Sequence, residues 1–294
     1  MPNYICTASV LNVRSGASTK YPVVAKFKKN DVIYPSAPVS NGWLKCKIYN
    51  GEGYVSATYI KAQGSVKPVT PVKPTAPVGS KFNYFYKNGC HVVEINPKNL
   101  KFDIVDKAKK SCGYKNYFNA GFFGKLSNGS TLAGGNIASD GKILVTSEGL
   151  PSWTNLYNKD LTTFYIRNDN SMGLIKTKNM KEITNLKCAI SGIPIVDSDG
   201  METTLAKVKS EGYFGNELYT TWHCFLTFTD TKVVIIYANI GSIPTMRKKI
   251  ESLGYGKHGA IKLDGGGSAI LVVNGIKKVC TAENRRISSI GVFE

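Results

Sequence analysis

The chain has 294 residues, 42% of them hydrophobic and 20% charged, which is the balance of a folded globular protein and excludes wholesale disorder. Its formal net charge is +18, with 10 Lys/Arg against 2 Asp/Glu in residues 1–80 and 28 against 18 in residues 81–294. A field of that sign favours polyanions, and the sequence holds no RNA-recognition signature, zinc finger or long basic helix. Partners of that kind include nucleic acid, anionic membrane and the phosphate-rich polymers of Gram-positive cell walls, with nucleic acid the less expected of them.

The length favours two domains. Seven cysteines, odd in number and never spaced C-x-x-C, read as buried reduced thiols and not as a disulfide framework or a zinc ribbon. The start, Met1-Pro2-Asn3-Tyr4-Ile5, runs straight into strand-like sequence without a basic n-region or a long apolar h-region. Neither a signal peptide nor membrane insertion is expected, so synthesis is placed in a cytoplasm.

Residues 3–62 read as short strands separated by turn signals such as Ser15-Gly16, Ser40-Asn41-Gly42 and Asn50-Gly51, the pattern of a small β-barrel. The segments Leu11-Asn12-Val13-Arg14-Ser15-Gly16, Asn41-Gly42-Trp43-Leu44-Lys45 and Gly53-Tyr54-Val55-Ser56 resemble the bacterial SH3 family in content, order and spacing. That resemblance implies a wall-binding module over residues 1–63 whose partner is a bacterial cell-wall polymer, peptidoglycan or teichoic acid. Beside the missing signal peptide it places action at the wall, as in a phage lytic or tail-associated protein. Trp43 and Tyr54 are read as barrel core, because aromatics dominate small cores. Residues 64–80 carry Pro68, Pro71, Pro74 and Pro77 at a period of three, which makes the stretch a semi-rigid polyproline II linker.

The expected fold class is a small all-β SH3-like barrel followed, over residues 81–294, by an α+β domain dominated by β-strands. Strands are expected at Cys90–Ile95, Phe102–Val105, Lys142–Val145, Thr163–Ile166, Ala189–Val196, Cys224–Thr229, Val233–Ala238, Ala260–Leu263 and Ile270–Val273. Helices are expected from Pro244 to Leu253, where Met246, Ile250 and Leu253 recur at helical spacing, and from Thr203 to Glu211.

The stretch around which this domain is organised is Leu263-Asp264-Gly265-Gly266-Gly267-Ser268. A carboxylate at a strand end, followed by three residues without a Cβ, lets a polar ligand approach bare backbone N–H groups while Asp264 faces it. Spacing alone equally allows a Gly-rich turn that Asp264 merely caps.

Other polar stretches lie beside strands: Asn119-Ala120-Gly121-Phe122-Phe123, Gly134-Gly135-Asn136, Ser191-Gly192-Ile193-Pro194 and Asn284-Arg285-Arg286-Ile287-Ser288. In this order, together with Leu263 to Ser268, they resemble the phosphodiester glycosidase family over nearly all of residues 84–293. The resemblance implies hydrolysis of a sugar C1–O–phosphate bond. It implies Asp264 as first carboxylate, Arg285 as a planar fork for phosphate oxygens, and backbone donors at Gly265, Gly266 and Gly267 beside Ser268. Asn119 and Asn136 are expected to orient sugar hydroxyls or the carboxylate. Glu283 and Glu148 are candidate second carboxylates.

The family pattern is departed from at Tyr219-Thr220, where Arg-Thr is common, and at Asn284, where Glu is common. His91, His223 and His258 are isolated and form no zinc-binding pattern, so no metal or other cofactor is expected. Two other readings stay open, an endolysin cutting peptidoglycan by an amidase or muramidase reaction and a non-catalytic wall-binding protein.

Overall fold

The structure, a computed structural model, describes residues 4–29, 32–33, 35–48, 51–62, 81–198, 200–214 and 218–294. The chain divides into two compact units, Met1–Thr75 and Ala76–Glu294. The expected linker at residues 64–80 lies outside the described residues.

The first unit is all β. Three strands pair in the order Val32–Ile33, Tyr4–Cys6, Ile60–Ala62, and four in the order Val23–Lys28, Val10–Arg14, Gly51–Ser56, Trp43–Ile48. Alternation sends Cys6, Leu11, Val13, Ile33, Leu44, Cys46 and Val55 inward as the core. Trp43 and Tyr54 are not in that core. Each is half-buried, because Leu44, Cys46 and Val55 take the inward positions and leave their neighbours on the other face.

The second unit is built from antiparallel sheets. A six-stranded sheet runs Ile193–Val196, Ala260–Gly265, Thr221–Phe228, Val233–Ile240, Cys90–Ile95, Phe82–Lys87. One five-stranded sheet runs Leu100–Ala108, Arg286–Phe293, Tyr117–Asn119, Ile270–Val273, Ile276–Cys280, and a second runs Lys142–Val145, Ile137–Ser139, Leu186–Ser191, Leu161–Arg167, Met172–Thr177. All three feed one core, with Phe118 and Leu271 from the first five-stranded sheet, Phe164 and Ile190 from the second, and Leu226 and Ile261 from the six-stranded sheet.

The other face of the six-stranded sheet packs Phe225, Val234 and Ile236 against Met246 and Ile250 of the helix Ile243–Ser252 and Val208 of the helix Leu205–Ser210. Being covered on both faces explains why Val233-Val234-Ile235-Ile236-Tyr237-Ala238 is apolar without alternation. The expected dominance of β-strand is found. The α+β description fits less well, because helix in this unit amounts to these two short α-helices and single 3₁₀ turns among the described residues.

One expected strand divides. Ala189–Val196 falls into Leu186–Ser191 and Ile193–Val196, which belong to different sheets. The break is at Gly192, where a Cβ would lie 2.6 Å from the carbonyl oxygen of Lys262, so the chain passes from one sheet to the next at a point of close backbone approach. That crossing also fixes the strand carrying Lys262 and Asp264.

Candidate functional site

Asp264 lies near the end of the strand Ala260–Gly265, in a half-buried position where apolar sequence gives way to glycine. Two neighbouring residues clamp its backbone. Asn119 donates its side-chain amide to the Asp264 carbonyl at 2.8 Å, and the Asp264 N–H donates to the Ala120 carbonyl at 3.0 Å. Ala120 and Gly121 are themselves tied to the closing strand, since the Ala120 N–H donates to the Ser289 carbonyl at 3.1 Å and the Gly121 N–H to the Ser289 hydroxyl at 3.0 Å.

The glycines after Asp264 turn through a 3₁₀ segment, Gly266–Ser268. The Gly265 N–H donates back to Asp264 Oδ1 at 2.8 Å. Gly266 has φ +57°, in the left-handed region, and a Cβ there would lie 3.0 Å from the Tyr219 hydroxyl. At Gly267 a Cβ would fall 2.1 Å from Glu283 Oε2 and 2.7 Å from Arg285 Nη2. The loop thus lies directly against the Arg285–Glu283 pair.

Arg285 holds Glu283 by two bonds, from Nε to Oε1 at 3.3 Å and from Nη2 to Oε2 at 2.9 Å. The guanidinium beside Glu283 lowers that carboxyl below its usual range. Nη1 stays outside the pair. Arg285 is half-buried while Glu283 is more exposed, so the pair forms the rim of the loop and not its floor.

The floor is made by groups that the sequence reading did not single out. Lys109 is fully buried, and its Nζ donates to the Gly267 carbonyl at 2.6 Å and to Thr281 Oγ1 at 2.6 Å. Burial pulls the Lys109 ammonium below its usual value. Lys262 is also buried, with Nζ donating to the Leu263 carbonyl at 3.0 Å and lying 4.6 Å from the centroid of the Phe122 ring.

Burial pushes the Asp264 carboxyl above its ordinary value, against the opposing pull of the Lys262 ammonium, the nearby Ser268 hydroxyl, the Gly265 N–H and Arg285. His223 is buried, and burial followed by the Lys262 charge lowers its imidazole to about 4, so it is neutral at pH 7. The neutral ring donates from Nε2 to the Tyr219 carbonyl at 2.8 Å, which leaves Nδ1 as an acceptor without a partner.

Of the residues predicted from sequence, the structure gathers Asp264, Gly265, Gly266, Gly267, Ser268, Arg285 and Glu283. Asn119 sits beneath them. Its Oδ1 accepts from the Tyr237 hydroxyl at 2.6 Å and from the Ile270 N–H at 2.9 Å, so it positions the strand end and does not present a free carbonyl to a sugar.

Asn136 has a different place from the one expected. Its Nδ2 donates to Thr163 Oγ1 at 2.9 Å and to the Thr177 carbonyl at 2.8 Å, and its Oδ1 accepts from the Ser147 N–H at 2.8 Å. Both amide hydrogens are used and the residue is fully buried, so it rivets the second five-stranded sheet and does not bind substrate. Glu148 is exposed in the 3₁₀ turn Ser147–Gly149.

Tyr219, at the first departure from the family pattern, is 60% exposed and puts a hydroxyl over Gly266. Among the described residues no group of three or more His, Cys, Asp or Glu side chains is arranged to hold a metal ion.

Residues 9–61 match the bacterial SH3 domain family. The SH3 match lies wholly within the first unit and is independent of the Asp264 loop. In fold, the chain is similar to the catalytic domain of zebrafish N-acetylglucosamine-1-phosphodiester alpha-N-acetylglucosaminidase, auto-inhibited by its pro-peptide. The TM-score is 0.55 and the identity 17%, over 75% of this chain and 85% of that one. A hypothetical protein from Synechocystis aligns over 98% of this chain and 75% of that one, at 12% identity and a TM-score of 0.46. No curated protein matches the chain in sequence.

Proposed function

We propose that the chain is a cell-wall-directed hydrolase that cleaves a sugar–phosphate linkage. The observation that carries this reading is the meeting of Asp264 with the Arg285–Glu283 pair across Gly267. A carboxylate and a guanidinium on either side of a bare glycine answer the two charges that develop when a C1–O–phosphate bond breaks. The SH3 match supports delivery to the wall, and the shared fold with an enzyme named for an N-acetylglucosamine phosphodiester supports the chemistry.

In the proposed reaction water adds to the anomeric carbon, the C1–O bond breaks, and its electrons leave on the oxygen of a phosphate monoester. Asp264, ionised, faces the positive charge that builds on the sugar and takes the proton released by water. Its raised affinity for protons suits a group that must accept one. Arg285 Nη1 is the donor for the departing phosphate, with Glu283 fixing the plane of the guanidinium. A phosphate monoester leaves readily, which reduces the need for a strong general acid.

The test is ³¹P NMR of a sugar-1-phosphodiester, and of a teichoic-acid-bearing wall, incubated with the purified chain. Conversion of diester to monoester by wild type, reduced at least ~100-fold in Asp264→Asn, supports the proposal. No conversion by wild type, or equal conversion by the variant, refutes it.

A further inference from the structure

A cleft of about 280 Å³ opens in the second unit beside the hairpin Phe123–Lys125/Thr131–Ala133. Its walls are aromatic and aliphatic, including Phe122, Trp153, Leu156, Tyr213 and Phe214. Trp153 is 64% exposed and Phe214 56% exposed, so two large rings face solvent at one opening, unusual for side chains of that size.

The cleft is constructed and not a gap left by poor packing. Gly212 has φ +89° and passes so close to the segment opposite that a Cβ would lie 2.2 Å from the Asn155 carbonyl oxygen. Tyr213, next in sequence, packs against Phe122 with ring centroids 5.3 Å apart and the rings tilted by 53°. Behind it, buried Glu211 accepts from the Thr162 N–H and hydroxyl, both at 2.8 Å, and pins this wall to the second five-stranded sheet.

Phe122 links the cleft to the Asp264 loop. Its ring lies under the Lys262 ammonium, and Lys262 is the charge that most favours the ionised form of Asp264. None of the described residues lining the cleft is charged. In a chain of net charge +18, a neutral aromatic cleft beside a charged loop separates two kinds of ligand group. The phosphate belongs with Arg285, and the cleft takes an uncharged ring with an apolar face and a polar edge.

We infer that the cleft is a sugar-binding subsite, in which Trp153 and Phe214 stack on a pyranose ring of the wall polymer next to the bond that is cut. The inference rests on the proposed hydrolase reading for its substrate, but binding can be measured without turnover.

The experiment uses the full chain labelled with 5-fluorotryptophan, whose three ¹⁹F resonances are assigned by Trp43→Phe, Trp153→Phe and Trp222→Phe. A neutral tetrasaccharide of N-acetylglucosamine is titrated in, and the Trp43 resonance reports separately on the SH3 unit. The expected result is a saturable shift of the Trp153 resonance, with affinity about tenfold weaker in Phe214→Ala. An unmoved Trp153 resonance, unchanged affinity in Phe214→Ala, or a shift produced by a wall stem peptide and not by the tetrasaccharide overturns it. A saturable shift without any diester hydrolysis would uphold the subsite and reject the hydrolase reading alone.

Discussion

Lys109 reaches the Gly267 carbonyl with its ammonium at 2.6 Å, from a position that is fully buried. Its own N–H also donates to the Arg285 carbonyl at 3.0 Å. One residue therefore ties the glycine loop to the segment carrying the Arg285–Glu283 pair, and the distance between loop and pair depends on it.

Lys109→Met keeps the aliphatic stem and removes the donor. The Gly267 carbonyl and Thr281 hydroxyl then lose a charged partner inside the protein, at a cost of about 1–3 kcal/mol in unfolding free energy. Urea unfolding should register that loss, and diester hydrolysis should fall further than stability explains. A variant with wild-type stability and turnover would show that the loop holds its shape without Lys109.

Asp264→Asn separates activity from stability. Burial raises the folded-state pKa of Asp264 above its unfolded value of about 3.9, so the folded chain binds this proton more tightly than the unfolded chain. Stability therefore falls as pH rises through the interval between the two values. The Asn variant has no charge to bury and keeps an acceptor for the Gly265 N–H. Its melting temperature should exceed that of wild type at pH 7 and converge with it near about pH 3. A variant that melts below wild type at pH 7 would contradict the assigned burial.

Gly267→Ala tests the contact between loop and pair. A Cβ there meets Glu283 Oε2 and Arg285 Nη2, both at the ends of flexible side chains that can move away. The fold should survive with an almost unchanged unfolding midpoint while turnover drops by about tenfold or more, since the guanidinium is no longer held at the loop. Equal turnover in Gly267→Ala would remove Arg285 from the proposed reaction.

Glu211→Ala probes the wall of the aromatic cleft. Glu211 is fully buried and its carboxyl is pushed up by burial, yet it accepts two bonds from Thr162. Its loss leaves the buried Thr162 N–H without an acceptor, which costs about 1–3 kcal/mol. Glu211→Gln, which retains one acceptor, should lose less. The order of melting temperatures, wild type above Gln above Ala, checks this directly.

Part of this arrangement is legible in the sequence alone. Asp264 followed by three glycines marked the loop, and Asn119-Ala120-Gly121 marked the segment that clamps it. Asn136 was misplaced because Gly134-Gly135-Asn136 has the composition of a binding loop. Its role depends on Ser147, Thr163 and Thr177, which only the folded sheet brings together.

Lys109 was hidden among Lys107 and Lys110 in a strongly basic chain, where nothing local distinguishes a buried cation from a solvated one. Lys262 left a clearer trace, as a lone lysine in the apolar run Ala260-Ile261-Lys262-Leu263. The strand Arg286–Phe293 carries little strand signal in its sequence, although its last seven residues are buried. Its Ser288, Ser289 and Gly291 are poor strand formers by composition. Gly291 is needed because the Phe118 ring occupies the space where a side chain would stand, with Cζ 2.0 Å from the position of a Cβ. Tertiary packing overrides propensity there.

The most direct test of the central claim is which bond breaks. Hydrolysis of a sugar-1-phosphodiester in H₂¹⁸O, followed by mass spectrometry of both products, should place the label on the freed sugar and leave the phosphate monoester unlabelled, with the signal lost in Asp264→Asn. Label on the phosphate would mean attack at phosphorus, and would contradict a site in which Asp264 serves the anomeric carbon and Arg285 the leaving group.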